Sequence, residues 1–312
     1  YISVTGVQTC ALPISWITWI GTKPQPSLRS VNTTAESLDL NWSGSNGDVW
    51  QERVARAVEK IRDGELEKVV LARFVTGTSS KTINERRLLN HLAHEYPSTW
   101  VYSHHGLIGA TPELLVRLNR SLVTSRVLAG TIRKTGDDER DLALAGSLAR
   151  SSKDLEEHEY AVRSVAESLS PFCSSMNVPE SPFVLHLSNV MHLATDVTGV
   201  LVDSSSPADI FDLADRLHPS AAVCGTPRDI ASRTIDEIEG ISRGRYAGPI
   251  GWIDARGDGE LGIALRCGQI SHDKKSIRIY AGCGIVAGSD PEREYSESQA
   301  KLLPMRTALE RH

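Results

Sequence analysis

Near the end of this 312-residue chain, Glu294, Glu297 and Lys301 recur at i, i+3 and i+7, which is one face of a helix. They follow an apolar run interrupted by Gly282, Gly284 and Gly288. Two carboxylates and an ammonium beside a glycine-rich strand end can hold a divalent cation and an anionic ligand. The same spacing also describes a solvated Glu/Lys face. A second pair, Asp154 and Glu157, sits at i, i+3 in Lys153-Asp-Leu-Glu-Glu-His-Glu159. Two such helices facing each other would make an oxygen cage suited to a hard cation. Lys68 opens the apolar run Lys68–Val75 on the side of Val70, Ala72 and Phe74. It either snorkels at the strand end or sits where burial lowers its pKa enough for it to act as a base. Glu113 follows a proline and precedes Leu114-Leu-Val116, so its carboxylate enters a core strand. That is costly unless the group is paired or protonated, or left exposed at the strand mouth. His192, inside an apolar run, is either a hydrogen-bonded core residue or a catalyst.

The elements that must position these groups can be read from periodicity. Trp50, Val54, Ala57, Val58 and Ile61 predict a helix from Val49, and further helices are expected at 83–95, 137–151, 153–169 and 208–217. Asp290 is an N-cap for the last helix, with Pro291 at its first position. Thr226 is expected to cap a helix that Pro227 begins. Strands are expected at 37–41, 68–75, 99–104, 107–109, 121–128, 183–187 and 190–200. Ala129-Gly-Thr131 reads as a compact turn and Pro171–Pro182 as a loop. Tyr246–Ile253 and Leu261–Cys267 are expected to form a hairpin, which Ser276–Val286 extends into an antiparallel meander. The meander would bring Tyr246, Arg266, Gly282 and Gly284 together.

Composition narrows the class. A net charge of -5 without a Lys/Arg run argues against nucleic acid. Five cysteines without CxxC spacing read as reduced thiols, which implies a cytoplasmic protein. No apolar run reaches the length of a membrane span. Residues 1–19 lack a starting methionine and a basic n-region, and are expected to be a non-native segment. Residues 20–48 are then expected to be the remnant of a truncated N-terminal part, with the catalytic domain at 49–312.

Several motifs occur in one order: Lys68-Val-Val-Leu-Ala-Arg73, Gly109-Ala-Thr-Pro-Glu113, Leu128-Ala-Gly-Thr131, Lys153-Asp-Leu-Glu-Glu-His158, Gly244-Arg-Tyr-Ala-Gly-Pro-Ile-Gly251, Gly257-Asp-Gly-Glu260, Ile263-Ala-Leu-Arg266 and Ala281–Lys301. Together they resemble the chorismate-utilising enzymes, with the isochorismate synthases as the nearest branch. The resemblance implies an α+β chorismate-binding fold, with large antiparallel sheets in a sandwich, helices packed outside and the site in a cleft between the sheets. It also implies a monomer that acts on chorismate with Mg2+ and supplies menaquinone or siderophore synthesis.

By position, the resemblance makes Lys68 the general base and Glu113 the general acid. Glu157 and Glu297 would bind Mg2+, with Glu294 and Asp154 as nearby or water-mediated partners. Tyr246, Arg266 and the N–H groups of Gly282 and Gly284 match the pyruvyl-carboxylate site. Gly130 and Thr131 would line the cleft near the reacting hydroxyl, His192 would sit by the ring, and Lys301 among the glutamates. Anthranilate synthases carry glutamine where Lys68 stands, and aminodeoxychorismate synthases carry lysine where Ala129 stands. Two alternatives stay open: a salicylate synthase, which eliminates pyruvate from isochorismate, and a remnant that binds an anion or a partner without turnover.

Overall fold

Apolar runs rich in β-branched residues pair into two antiparallel sheets, and amphipathic helices cover their outer faces. The structure, a computed structural model, describes residues 38–44, 46–203 and 208–310. The expectation for residues 1–19, and most of that for 20–48, lies outside the described residues.

The first half contains β1 (Asn41–Gly44), α1 (Gly47–Arg62), β2 (Lys68–Thr78), α2 (Glu85–Glu95), β3 (Trp100–His104), β4 (Leu107–Thr111), β5 (Leu114–Asn119) and β6 (Leu122–Arg133). Next come α3 (Asp138–Leu148), α4 (Ser152–Leu169), β7 (Cys173–Asn177), β8 (Phe183–His186), β9 (Val190–Leu201) and α5 (Ile210–Leu217). The last part holds β10 (Gly225–Thr226), α6 (Arg228–Glu239), β11 (Pro249–Ile253), β12 (Gly259–Ile263), β13 (Cys267–Ile270), β14 (Ser276–Ile285) and α7 (Pro291–Glu310). The first sheet has the order β1-β2-β14-β13-β4-β3, with β10 also on β2. The second has the order β11-β12-β5-β6-β9-β7, with β8 also on β9.

Alternation along β2 sets the layers. Val69 and Leu71 point outward and pack with Trp50, Val54 and Val58 of α1 and Ile235 and Ile238 of α6. Ala72 and Phe74 point inward to a core shared with Val116, Val127, Val197 and Leu261 of the second sheet. Each large aliphatic side chain buried there contributes about 1.5–3 kcal/mol, which offsets the charged groups the same strands hold out of water.

Five expectations about elements need correcting. The first strand runs Asn41–Gly44, so only Asn41 of the expected 37–41 belongs to it. Ala129–Thr131 is a bulge inside the continuous strand β6, where the register against β9 slips; Gly130 at φ +76° accommodates the extra residue. Within 171–182, Cys173–Asn177 pairs with the far end of β9 as an edge strand, a partner no local signal reveals. Thr226 does not cap α6: it pairs with Lys68 in β10, and Pro227 holds the N-cap position without a side-chain bond.

The expected meander is also divided between the sheets. β11 and β12 form the hairpin in the second sheet, but the chain leaves that sheet after Ile263 and enters the first at Cys267. The crossing runs through Ala264–Arg266, with Arg266 at φ +47°. Beside it Pro112-Glu113 crosses the other way, from β4 in the first sheet to β5 in the second. The two crossings are tied by Ile263 N–H to Glu113 O at 3.1 Å and Ala110 N–H to Arg266 O at 3.2 Å.

Candidate active site

Those paired crossings place Glu113 and Arg266 at the seam between the sheets, where a cavity opens. Its walls include Val70, Glu113, Gly130, Thr131, Glu157, His192, Tyr246, Arg266, Gly282, Gly284 and Lys301. Ten of the fourteen site residues expected from the sequence are therefore at one place, and Lys68, Asp154, Glu294 and Glu297 are not in its lining.

Lys68 lies directly behind this wall and is wholly buried. Its ammonium is 3.6 Å from Glu157 Oε1 and donates to the Glu157 carbonyl at 3.3 Å. Burial lowers its pKa despite the opposing pull of Glu157 and Glu113. Glu113 is buried too, and loss of solvent pushes its carboxyl up to about 8 against Lys68, Arg266 and Lys301. One low-dielectric region thus lowers the pKa of the amine and keeps the carboxyl protonated at neutral pH. The snorkelling and strand-mouth readings both fail, because neither side chain reaches bulk water.

The helical acids face inward. Glu294 is 1% exposed, and its Oε1 accepts from Lys153 at 2.6 Å. Its Oε2 is buried without a hydrogen-bond partner among the described residues. Burial and the neighbouring Glu297 raise the Glu294 pKa to about 7. Lys301 pairs with Glu297 Oε1 at 2.5 Å and donates to Gly282 O at 2.9 Å. Burial pushes the Glu297 carboxyl up, but the ammoniums of Lys301 and Lys153 prevail and hold its pKa below the usual value. Glu157 fills the space over Gly284: a Cβ there would lie 1.9 Å from Glu157 Oε1. Asp154 stands apart, its carboxylate accepting from the Ser151 hydroxyl at the start of α4. It lines a separate outer cavity together with Lys153, Glu294 and Glu297. The expected set of four acids is thus divided: Glu157 faces the inner cavity, and Asp154, Glu294 and Glu297 line the outer one.

Glu157, Glu294 and Glu297 offer the oxygen donors a hard cation takes, one of them an orphan, and Lys153 and Lys301 now supply positive charge to Glu294 and Glu297.

His192 has a more specific place than the sequence suggested. Arg266 Nη2 is 2.9 Å from His192 Nε2 and can only donate, so Nε2 accepts and the ring proton sits on Nδ1. Nδ1 lies 3.3 Å from Gly130 O and 3.1 Å from Thr131 Oγ1. Burial, then Arg266, keeps the ring's pKa well below its usual value, so His192 stays neutral and holds the guanidinium in place. Tyr246 stacks on Tyr280 with ring centroids 5.1 Å apart and reaches Gly282: a Cβ on that residue would meet Tyr246 Oη at 2.9 Å.

Gly282 and Gly284 pair opposite Ala72 and Val70 of β2. Ala72 N–H is bonded to Glu239 Oε1 and Val70 N–H to Cys224 O, both on the far edge of β2. Antiparallel alternation therefore aims the two glycine N–H groups at the edge of β14 that β13 leaves open.

Three contributors were not singled out from the sequence. Lys153 occurs in a quoted motif but only its acidic neighbours were weighed. Glu239 and Arg243 form a buried ion pair, with Arg243 donating to Val70 O at 2.6 Å and Val223 O at 2.9 Å. Their i, i+4 spacing hints at a pair, but nothing local shows that it is buried.

A family model described as chorismate binding enzyme matches residues 20–310. The isochorismate synthase DhbC of Bacillus subtilis is 39% identical over 267 residues, covering 82% of this chain and 66% of that protein. The isochorismate synthase MenF of the same organism is 36% identical, covering 90% of this chain and 58% of that protein. The chain thus spans no more than about two thirds of these relatives' length. Among solved structures, MenF, the menaquinone-specific isochorismate synthase from Escherichia coli, superposes with a TM-score of 0.77 at 29% identity, covering 93% of this chain and 66% of that chain.

Proposed function

We propose that this chain, which belongs to the chorismate-binding enzyme family, isomerises chorismate to isochorismate. The observation that carries this reading is the pair Lys68 and Glu113, a buried amine with lowered pKa directly behind the cavity wall and a carboxyl raised to about 8 in it. Lys68 takes a proton from water as its oxygen bonds to C2 of the ring. The ring double bonds shift, the C4–O bond breaks, and Glu113 gives its proton to the departing hydroxyl, which leaves as water. One water enters, one leaves, and there is no net oxidation.

Arg266, oriented by His192, and the glycine N–H groups at the open edge of β14 suit the pyruvyl carboxylate, with Tyr246 beside them. Gly130 and Thr131 line the wall near the reacting hydroxyl. Glu157 and Glu297 would hold a magnesium ion, with Glu294 behind them and Asp154 at the rim. When bound, the ion would neutralise the second carboxylate of a dianionic substrate in an acidic pocket.

Incubation with chorismate and Mg2+, followed by chromatography of the products, tests the reading. Isochorismate is expected. Salicylate with pyruvate would replace the reading by a salicylate synthase, and unchanged chorismate would leave a binding protein.

A further inference from the structure

Behind the β14 backbone, on the face away from the cavity, the Cys283 side chain meets the helix that carries the acids. Its Sγ and one carboxylate oxygen each of Glu294 and Glu297 lie within 4.8 Å of one another. Cys283 and Glu294 are fully buried, and Glu294 keeps a buried oxygen without a hydrogen-bond partner among the described residues. Glu294 and Glu297 also line the outer cavity at the start of α7, which gives an ion a path to the group from solvent. One sulfur and two carboxylate oxygens at this separation need only small side-chain motions to reach the bond lengths of a tetrahedral ion, with a fourth position left for water. Magnesium has no use for the sulfur, whereas zinc and cobalt prefer it.

We propose that Cys283, Glu294 and Glu297 form a site for a thiophilic divalent ion of the zinc class. Such an ion draws Glu294 and Glu297 toward the sulfur and away from a hard cation on the cavity side. On binding, the Cys283 S–H bond breaks, a metal–sulfur bond forms and the proton passes to solvent. Glu297 exchanges Lys301 for the ion, and Lys301 keeps the Gly282 carbonyl. Zinc and magnesium then compete for the same two carboxylates, so trace zinc inhibits any magnesium-dependent turnover at this site. The competition rests on the magnesium reading given above, but the site itself does not.

Cobalt(II) is the probe, because it reports a thiolate ligand by a charge-transfer band in the near ultraviolet and its coordination number by its visible bands. The full chain titrated with Co2+ should show both, and Zn2+ should displace them at one equivalent. Cys283→Ala should lose the ultraviolet band and bind Co2+ about tenfold more weakly or worse. Circular dichroism and the unfolding midpoint of the variant show whether its fold is intact, and Cys283→Ser provides a second variant of nearly unchanged size. Visible bands without the charge-transfer band in the wild type would overturn the proposal while leaving an oxygen-only magnesium site standing. Absence of any cobalt binding would overturn it and count against the magnesium reading as well. A band that survives both substitutions would also overturn it.

Discussion

At the scale of single residues, the chemistry depends on two groups made unusual by loss of solvent. Lys68→Ala should abolish chorismate turnover while leaving Mg2+ binding by calorimetry in place, because the inward carboxylates remain. Turnover within a few-fold of wild type would remove Lys68 from the role of base. Glu113 sets the alkaline side of the pH profile. With its carboxyl raised to about 8, it keeps the proton it must donate below that pH and loses it above. The ratio kcat/KM should therefore fall as pH rises through about 8, and an activity that keeps climbing well beyond would exclude Glu113 as the acid. His192 and Arg266 show why residue type alone was ambiguous: the histidine is both a satisfied core residue and the group that orients a binding arginine.

At the scale of elements, β14 and β2 work as a pair. Glycine at 284 leaves room for Glu157 Oε1, and an added Cβ would also approach Lys68 Cε to 3.1 Å. Gly284→Ala should displace the Glu157 carboxylate and lower kcat/KM by two orders of magnitude or so. The unfolding temperature should change little, since a carboxylate side chain can swing aside. A variant with wild-type kinetics would show that Glu157 need not stand there. Among the described residues no strand covers the other edge of β2 between β1 and β10, and the Glu239–Arg243 pair serves in its place. Glu239 accepts from Ala72 N–H at 2.6 Å, and Arg243 donates to Val70 O. Arg243→Met leaves Glu239 as an unpaired buried charge and should cost about 3–5 kcal/mol in urea unfolding. The double variant Glu239→Gln/Arg243→Met should recover part of that loss. A single substitution costing under about 1 kcal/mol would mean that the strand needs no such support.

At the scale of the whole molecule, acid stability follows from histidines buried in neutral form. Burial lowers His158 to about 4 and, together with Arg228, His218 to about 3; neither His218 ring nitrogen has a hydrogen-bond partner among the described residues. Their folded values lie below the unfolded value of about 6.5, so their contribution is complete above that pH and is lost as pH falls toward 4 and 3. Each such group costs about 1.4 kcal/mol per pH step in that window. Glu113 and Glu294, raised to about 8 and about 7, act in the opposite sense over the same range, so the histidine contribution is read as a difference. From pH 6 to 5 the unfolding midpoint of His218→Phe should fall less, or rise more, than that of the wild type. An unchanged slope would place the acid sensitivity elsewhere.

The sequence by itself determined the elements that repeat with a short period and the residues whose chemistry is local. The periodicity of Trp50–Ile61 and the Asp290-Pro291 start of α7 could be read directly, because propensity, capping and amphipathicity act within a few residues. The ordered motifs also gave the family and so the membership of the site. Tertiary structure decided what depends on distant partners: that β13 belongs to a different sheet from β12, that Cys173–Asn177 finds an edge beside β9, and that Ala129–Thr131 is a bulge. It also decided which charges leave water. Lys68 and Glu113 acquire shifted pKa values only because two sheets and α4 close around them, and desolvation is a property of the packed molecule, not of any stretch of its chain.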